Sequence, residues 1–369
     1  MIPAEYQENL EAVQRRLLDW LRAFERENED IGFDAVAASQ ARLQTAAGDL
    51  FSTLAPQLVN MPPPEACADL HLALVTVLDY CSQAHQAYQK GAGATFSNAF
   101  LASRLFFGKA LARLYAVRME LPLLETFWYM PDALADKAKI DPLFPRSDVP
   151  VGVCREPATA DHSRYALYVP EAYDESKQWP LIVCLHGGYG TGEDYLWAWL
   201  RIARSHGYLV LSPKSLDVTW SVLQPPLDAA SVEACIQEVT TRYRVDARRI
   251  FLTGLSDGAT FSYLLAFSYP DRFAGVAPIA GELSPVADRM LRQKVANDVP
   301  FYVIHGAHDH IFPIETVRST CGLLEHLGYP LKFDELPDWG HAYPYKINAE
   351  RVFPWFESLA LATDVEPES

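Results

Sequence analysis

The sequence predicts an all-helical N-terminal domain over 1–145. It is followed over 146–369 by an α/β domain, a mostly parallel eight-stranded sheet with helices on both faces. Three observations lead there. Apolar residues recur at three- and four-residue steps through the first 145 positions, the period of an amphipathic helix. A proline-punctuated stretch, suited to a linker or arm, runs from 121 to 150. From 151 onward, short β-rich runs alternate with helical runs, the pattern of strands joined by crossover helices.

Leu10, Val13, Leu17, Leu21 and Phe24 form the apolar stripe of the first helix. A second helix is expected over 33–58, closed by Pro62, Pro63 and Pro64. A third is expected over 65–90, with Leu70, Leu74, Val77, Leu78 and Cys81 inward, and a fourth over 96–119 after Gly91 and Gly93. Short connections between four helices suggest an antiparallel bundle. In the second half, strands are expected at 151–155, 165–169, 181–186, 208–212, 250–254, 275–280, 301–305 and 331–336. Helices are expected at 193–206, 228–243, 257–269, 285–295, 314–327 and 349–361. The first two strands are separated by a short turn region, so the sheet should open antiparallel.

Composition excludes several functions. Half of the 369 residues are apolar, ample for a core, and the net charge is −16. The acidity is spread, with 12 basic and 18 acidic residues (−6) over 1–145, and 19 and 29 (−10) in the remainder. Nucleic-acid and anionic-membrane binding need concentrated Lys and Arg, and neither is expected. The six cysteines form no C-x-x-C pair, so no structural zinc site is expected. The N-terminal residues lack the basic and apolar regions of a signal peptide, and no stretch is long and apolar enough to span a membrane. A cytoplasmic location is the resulting expectation. The acidic helical domain is compatible with a homodimer, although no heptad seam is long enough to argue one.

The chemistry concentrates in four segments. Residues 250–263 read I-F-L-T-G-L-S-D-G-A-T-F-S-Y. Gly254, Ser256 and Gly258 make G-x-S-x-G between an expected strand and an expected helix. That setting describes a sharp turn presenting Ser256 over a helix N-terminus, which favours the oxyanion of acyl transfer. A serine hydroxyl needs a base near neutral pH. His341, in D-W-G-H-A-Y-P after the last strand, is the candidate. Asp309, in H-G-A-H-D-H-I-F-P after the seventh strand, is the candidate acid. Asp334 and Glu335 are weaker because both fall inside a strand. Residues 183–190, V-C-L-H-G-G-Y-G, end the central apolar strand. Gly188, with Tyr189, and Asp257 are the candidate oxyanion donors, and His186 is expected to orient the loop. His308 and His310 flank Asp309 without a third ligand at metal-site spacing, so no metal is expected; with neither a P-loop nor a clear dinucleotide G-x-G-x-x-G unit, no nucleotide cofactor is expected either.

Residues 150–361 resemble an α/β-hydrolase in the order Ser256, Asp309, His341 and in the oxyanion loop after the third strand. The segments L-H-G-G-Y-G, R-I-F-L-T-G-L-S-D-G-A and G-H-A-Y-P are most similar to the carboxylesterase/phospholipase-like branch, which shades into polyhydroxybutyrate depolymerase and feruloyl esterase relatives. The resemblance implies a serine carboxylesterase acting on a small-molecule ester through an acyl-enzyme. An acyltransferase or peptidase on the same triad, or a non-catalytic partner-binding protein, are the alternatives. Residues 1–145 lie outside the resemblance. The bundle, or the arm 121–130 with Leu123, Phe127, Trp128 and Tyr129, is expected either to cover the pocket or to pack between domains. Trp220 and Trp339 are candidates to line the acyl or alcohol site, with local packing as the alternative.

Overall fold

The computed structural model describes residues 3–29, 35–93, 96–142, 147–156, 164–224, 226–293 and 299–365. The chain divides into two compact units, Met1–Leu134 and Ala135–Ser369. The junction expected at 145/146 lies outside the described residues, as do 33–34 and 294–295 at the ends of two expected helices.

The N-terminal unit is helical: α1 (Ala4–Glu29), α2 (Val36–Ala47), α3 (Ala55–Asn60), α4 (Ala68–Lys90) and α5 (Phe96–Ala116). The α1 stripe is buried at Val13, Leu17, Leu21 and Phe24, and Phe24 stacks on Phe107 of α5 at 4.3 Å between centroids. The single helix expected over 33–58 is broken. Gly48 adopts φ 51° after α2, and a π-helical turn, Leu50–Leu54, precedes α3. Glycine takes that left-handed conformation without a Cβ penalty, so it stops the helix where apolar spacing alone does not. The arm is fastened within this unit, with Arg22 donating to Thr126 at 3.0 Å and Leu123 N to Gln14 Oε1 at 3.2 Å.

The C-terminal unit holds eight strands: β1 (Gly152–Glu156), β2 (Tyr165–Val169), β3 (Trp179–Leu185), β4 (Leu209–Pro213), β5 (Val245–Leu255), β6 (Gly275–Ile279), β7 (Phe301–Gly306) and β8 (Leu331–Leu336). Their order is β1-β2-β4-β3-β5-β6-β7-β8. The β1–β2 and β2–β4 pairs are antiparallel and every other pair is parallel. The intervening helices are α6 (Lys137–Ile140), α7 (Gly192–His206), α8 (Pro226–Arg242), α9 (Asp257–Ser268), α10 (Pro285–Arg292), α11 (Ile314–His326), α12 (Tyr345–Ile347) and α13 (Phe353–Val365).

Strand alternation sorts the side chains onto two faces. Leu181, Val183 and Leu185 of β3 join Ile250 and Leu252 of β5 in a core shared with α8, α9, α10 and α11. On the other face, Phe251 stacks on Phe356 of α13, which stacks on Trp199 of α7. Burial on both sides explains why β3 reads as a continuous apolar run. The parallel pairing places the carboxyl ends of β3, β4, β5, β6, β7 and β8 along one edge of the sheet, where open α/β sheets gather their sites.

Candidate active site

Ser256 sits in the turn between β5 and α9 with φ 56° and ψ −122°. A non-glycine residue there is strained, and such strain persists only when the surroundings fix it. Here the Ser256 amide donates to the Ile279 carbonyl of β6 at 3.0 Å. The flanking glycines permit the turn by close approach. A Cβ on Gly254 would overlap the Gly258 carbonyl, and a Cβ on Gly258 would overlap the carbonyls of Leu185 and His186 at the end of β3.

The loops after β7 and β8 bring two side chains to the serine. His341 Nε2 lies 2.9 Å from Ser256 Oγ, and His341 Nδ1 lies 2.8 Å from Asp309 Oδ2. The two loops are tied by the His308 amide donating to the Trp339 carbonyl at 3.1 Å. Asp309 is buried, 7% exposed, and its Oδ1 accepts from the amides of Ile311 and Phe312 at 2.8 and 2.9 Å. Burial pushes its carboxyl up, but the His341 hydrogen bond and charge and the two amides outweigh it, leaving the group below its ordinary value. An ionised Asp309 fixes the proton of His341 on Nδ1, so that Nε2 faces the serine as an acceptor.

The turn after β3 is held by His186. Its ring accepts the Ser215 amide on Nε2 at 3.1 Å and donates from Nδ1 to the Gly187 carbonyl at 2.7 Å. Only the neutral Nδ1–H tautomer satisfies both bonds. The Gly187 carbonyl also accepts from the Gly190 amide at 3.0 Å. Because a trans peptide sets C=O and N–H in opposite directions, the Gly188 amide is turned away from His186. Gly187 abuts Ser256: a Cβ there would lie 3.4 Å from Ser256 Cβ. Asp257 heads α9, where the first amides have no intrahelical acceptor. Its carboxylate accepts from Thr219 Oγ1 and occupies the space a Gly188 side chain would fill, 2.6 Å from that Cβ position.

Two expected roles change. The Tyr189 amide donates to the Val218 carbonyl at 2.7 Å, so it is committed to the loop and is not an oxyanion donor. Trp220 is 2% exposed, stacked on Phe261, with its indole N–H donating to the His186 carbonyl at 2.7 Å. A buried indole needs an acceptor, and satisfying it props the loop from behind; Trp220 is core, not pocket lining. Trp128 packs edge-on against Tyr115 and Phe127 within the N-terminal unit. Trp339 is buried beside the Asp309 loop, contributing its carbonyl. Asp334 and Glu335 are engaged by Tyr302 and Arg351 and by Arg318 respectively. Among the described residues no three His, Cys, Asp or Glu side chains cluster as a metal site, and no helix is long and apolar enough to cross a membrane.

His305 was not legible from its sequence context as part of this arrangement. It is buried in β7, and its Nε2 donates to the Phe312 carbonyl at 2.8 Å, bracing the turn that carries Asp309. A histidine inside an otherwise apolar strand run is the signal that could have found it.

Burial depresses His186 to about 4, and depresses His85 in the N-terminal unit to about 4 as well. Both are folded neutral, so their contribution is complete above the unfolded value of 6.5 and is lost as pH falls toward 4. Each should remove up to about 3 kcal/mol across that window. The urea midpoint should therefore drop steeply between pH 6.5 and 4.5; a flat profile would contradict neutral burial of these rings.

Comparison with known proteins finds similarity to esterases. A family model described as Phospholipase/Carboxylesterase matches residues 228–349, and one described as Esterase PHB depolymerase matches 163–287. The first match spans Ser256, Asp309 and His341. The chain is 30% identical over 159 residues to feruloyl esterase C of Emericella nidulans, 41% of this chain and 56% of the relative. It is 31% identical over 114 residues to poly(3-hydroxyalkanoate) depolymerase C of Paucimonas lemoignei, 28% of each. It is 26% identical over 147 residues to the bifunctional acetylxylan esterase/xylanase XynS20E of Neocallimastix patriciarum, 38% of this chain and 21% of the relative. The chain thus spans about half or less of these relatives' length, and both family-model matches lie in the C-terminal unit.

Proposed function

We propose that the C-terminal unit is an α/β-hydrolase and that the protein is a serine carboxylesterase acting on a small-molecule ester. The observation that carries it is the unbroken hydrogen-bonded chain from Ser256 Oγ through His341 to Asp309. The relatives' names, all esterases or a depolymerase of a polyester, support a carboxylic ester over other acyl compounds.

In this reading His341 Nε2 takes the Ser256 proton as Oγ attacks the ester carbonyl carbon. The amides of Gly188 and Asp257 receive the oxyanion. Collapse breaks the ester C–O bond, and His341 returns its proton to the departing alcohol. Water then attacks the acyl-serine, giving a proton to His341, and the acid leaves as Ser256 is reprotonated. Asp309 stays ionised throughout and steadies the imidazolium. The acyl-enzyme predicts covalent capture: a fluorophosphonate should label the folded protein at Ser256, and p-nitrophenyl acetate should be hydrolysed. A folded wild type that is neither labelled nor active would overturn the proposal.

Asp309→Asn should lower kcat by about 10³–10⁴. The Asn oxygen is needed by the Ile311 and Phe312 amides, so its NH₂ would face His341 Nδ1. That forces the proton onto Nε2, where it can no longer accept from Ser256. Steady-state kinetics with unchanged far-UV circular dichroism would check it; a loss under tenfold would count against the assigned tautomer.

A further inference from the structure

Tyr189 combines features that are hard to explain as loop packing. It is one of four described non-glycine residues with positive φ, at 59°. A bulky residue pays for that conformation, and a glycine there would not. Its side chain nevertheless projects into solvent, 69% exposed, so no burial offsets the strain. Its amide is bonded to the Val218 carbonyl, which sets its backbone beside the segment carrying Leu216 and Val218. Those side chains are 61% and 54% exposed. Tyr189 directly follows Gly188 and lies two residues from Gly187, which abuts Ser256. A strained, exposed aromatic two residues from the glycine that abuts Ser256, on a loop bonded to one that exposes two aliphatics, points to ligand contact.

We infer that Tyr189 determines specificity by offering its ring, with Leu216 and Val218, as an apolar wall for an aryl group of the ester. This rests on the esterase reading above. The aryl group could sit on the acyl or the alcohol side, and the two sides are separable. Ethyl benzoate against ethyl acetate reports the acyl side; benzyl acetate against ethyl acetate reports the alcohol side.

The test compares wild type with Tyr189→Phe, Tyr189→Ala and Tyr189→Gly by kcat/KM on these three esters and by thermal unfolding. The wild type should prefer one aryl ester over ethyl acetate. Phe should keep that preference, while Ala and Gly should each lower it about tenfold, through loss of ring contact. Only Gly relieves the backbone, so only Gly should raise Tm, by about 2 °C or more. An unlabelled, inactive wild type would defeat the esterase reading and this inference together. A wild type labelled at Ser256 with no aryl preference, or a preference unchanged in Ala and Gly, would defeat the role of Tyr189 alone.

Discussion

Ser256→Ala should abolish ester turnover, lowering kcat by about 10⁴–10⁶. Fluorophosphonate labelling should vanish with it. The size of the effect follows from chemistry: the acyl-enzyme cannot form without Oγ, and only binding and the oxyanion donors remain to act on water. Stability should move little, within about 0.5 kcal/mol. Alanine keeps a Cβ and therefore keeps the strain of φ 56°. Ser256→Gly separates the two contributions. It should be equally inactive yet more stable, because relieving about 1–3 kcal/mol of backbone strain outweighs the about 0.4–1 kcal/mol of entropy regained by the unfolded chain. An Ala variant that retains turnover would remove Ser256 from the chemistry. A Gly variant less stable than Ala would mean the turn is not strained against its side chain.

The parts of this site legible in the sequence were those that local pattern determines. Strand ends followed by Gly-rich turns put Ser256, Asp309 and His341 at loops on one edge of a mostly parallel sheet, and the fold brings them within hydrogen-bonding distance. Parts that depend on non-local partners were not legible. No spacing rule says that the Tyr189 amide meets Val218, since that bond joins loops after β3 and β4. Trp220 admitted pocket lining and local packing equally, because an aromatic in a loop near a strand end fits either role. Its burial follows from Phe261, on a helix 41 positions later. The placement of β4 between β2 and β3 is likewise a pairing choice that periodicity does not encode. The break at Gly48 is the opposite case: the residue was in view, but a single glycine inside an apolar repeat is ambiguous until its φ is known.

Gly258→Ala sets local propensity against close approach, and the two predict opposite signs. Gly258 is the second residue of α9, and alanine is favoured over glycine within helices by about 1 kcal/mol. Propensity alone would make the variant more stable. The added Cβ, however, would overlap the carbonyl oxygens of Leu185 and His186 and lie 2.7 Å from Leu185 C. These are backbone atoms at the end of β3, where Leu185 pairs with Gly254 of β5 and the His186 carbonyl accepts the Trp220 indole N–H, and they cannot swing aside as a flexible side chain would. Relief requires α9 to move off the sheet, carrying the Asp257 amide and Ser256 with it. We expect a loss of about 3 kcal/mol or more in urea unfolding. A displacement of the elbow approaching 1 Å would also cost about 10² in kcat. Gly322→Ala is the internal reference. Gly322 lies within α11, where an added Cβ meets nothing within 4 Å, and that variant should gain about 0.5–1 kcal/mol with unchanged kinetics. If both substitutions stabilise alike, the contact between elbow helix and central strand is not what requires glycine at position 258, and the G-x-S-x-G pattern here needs another physical cause.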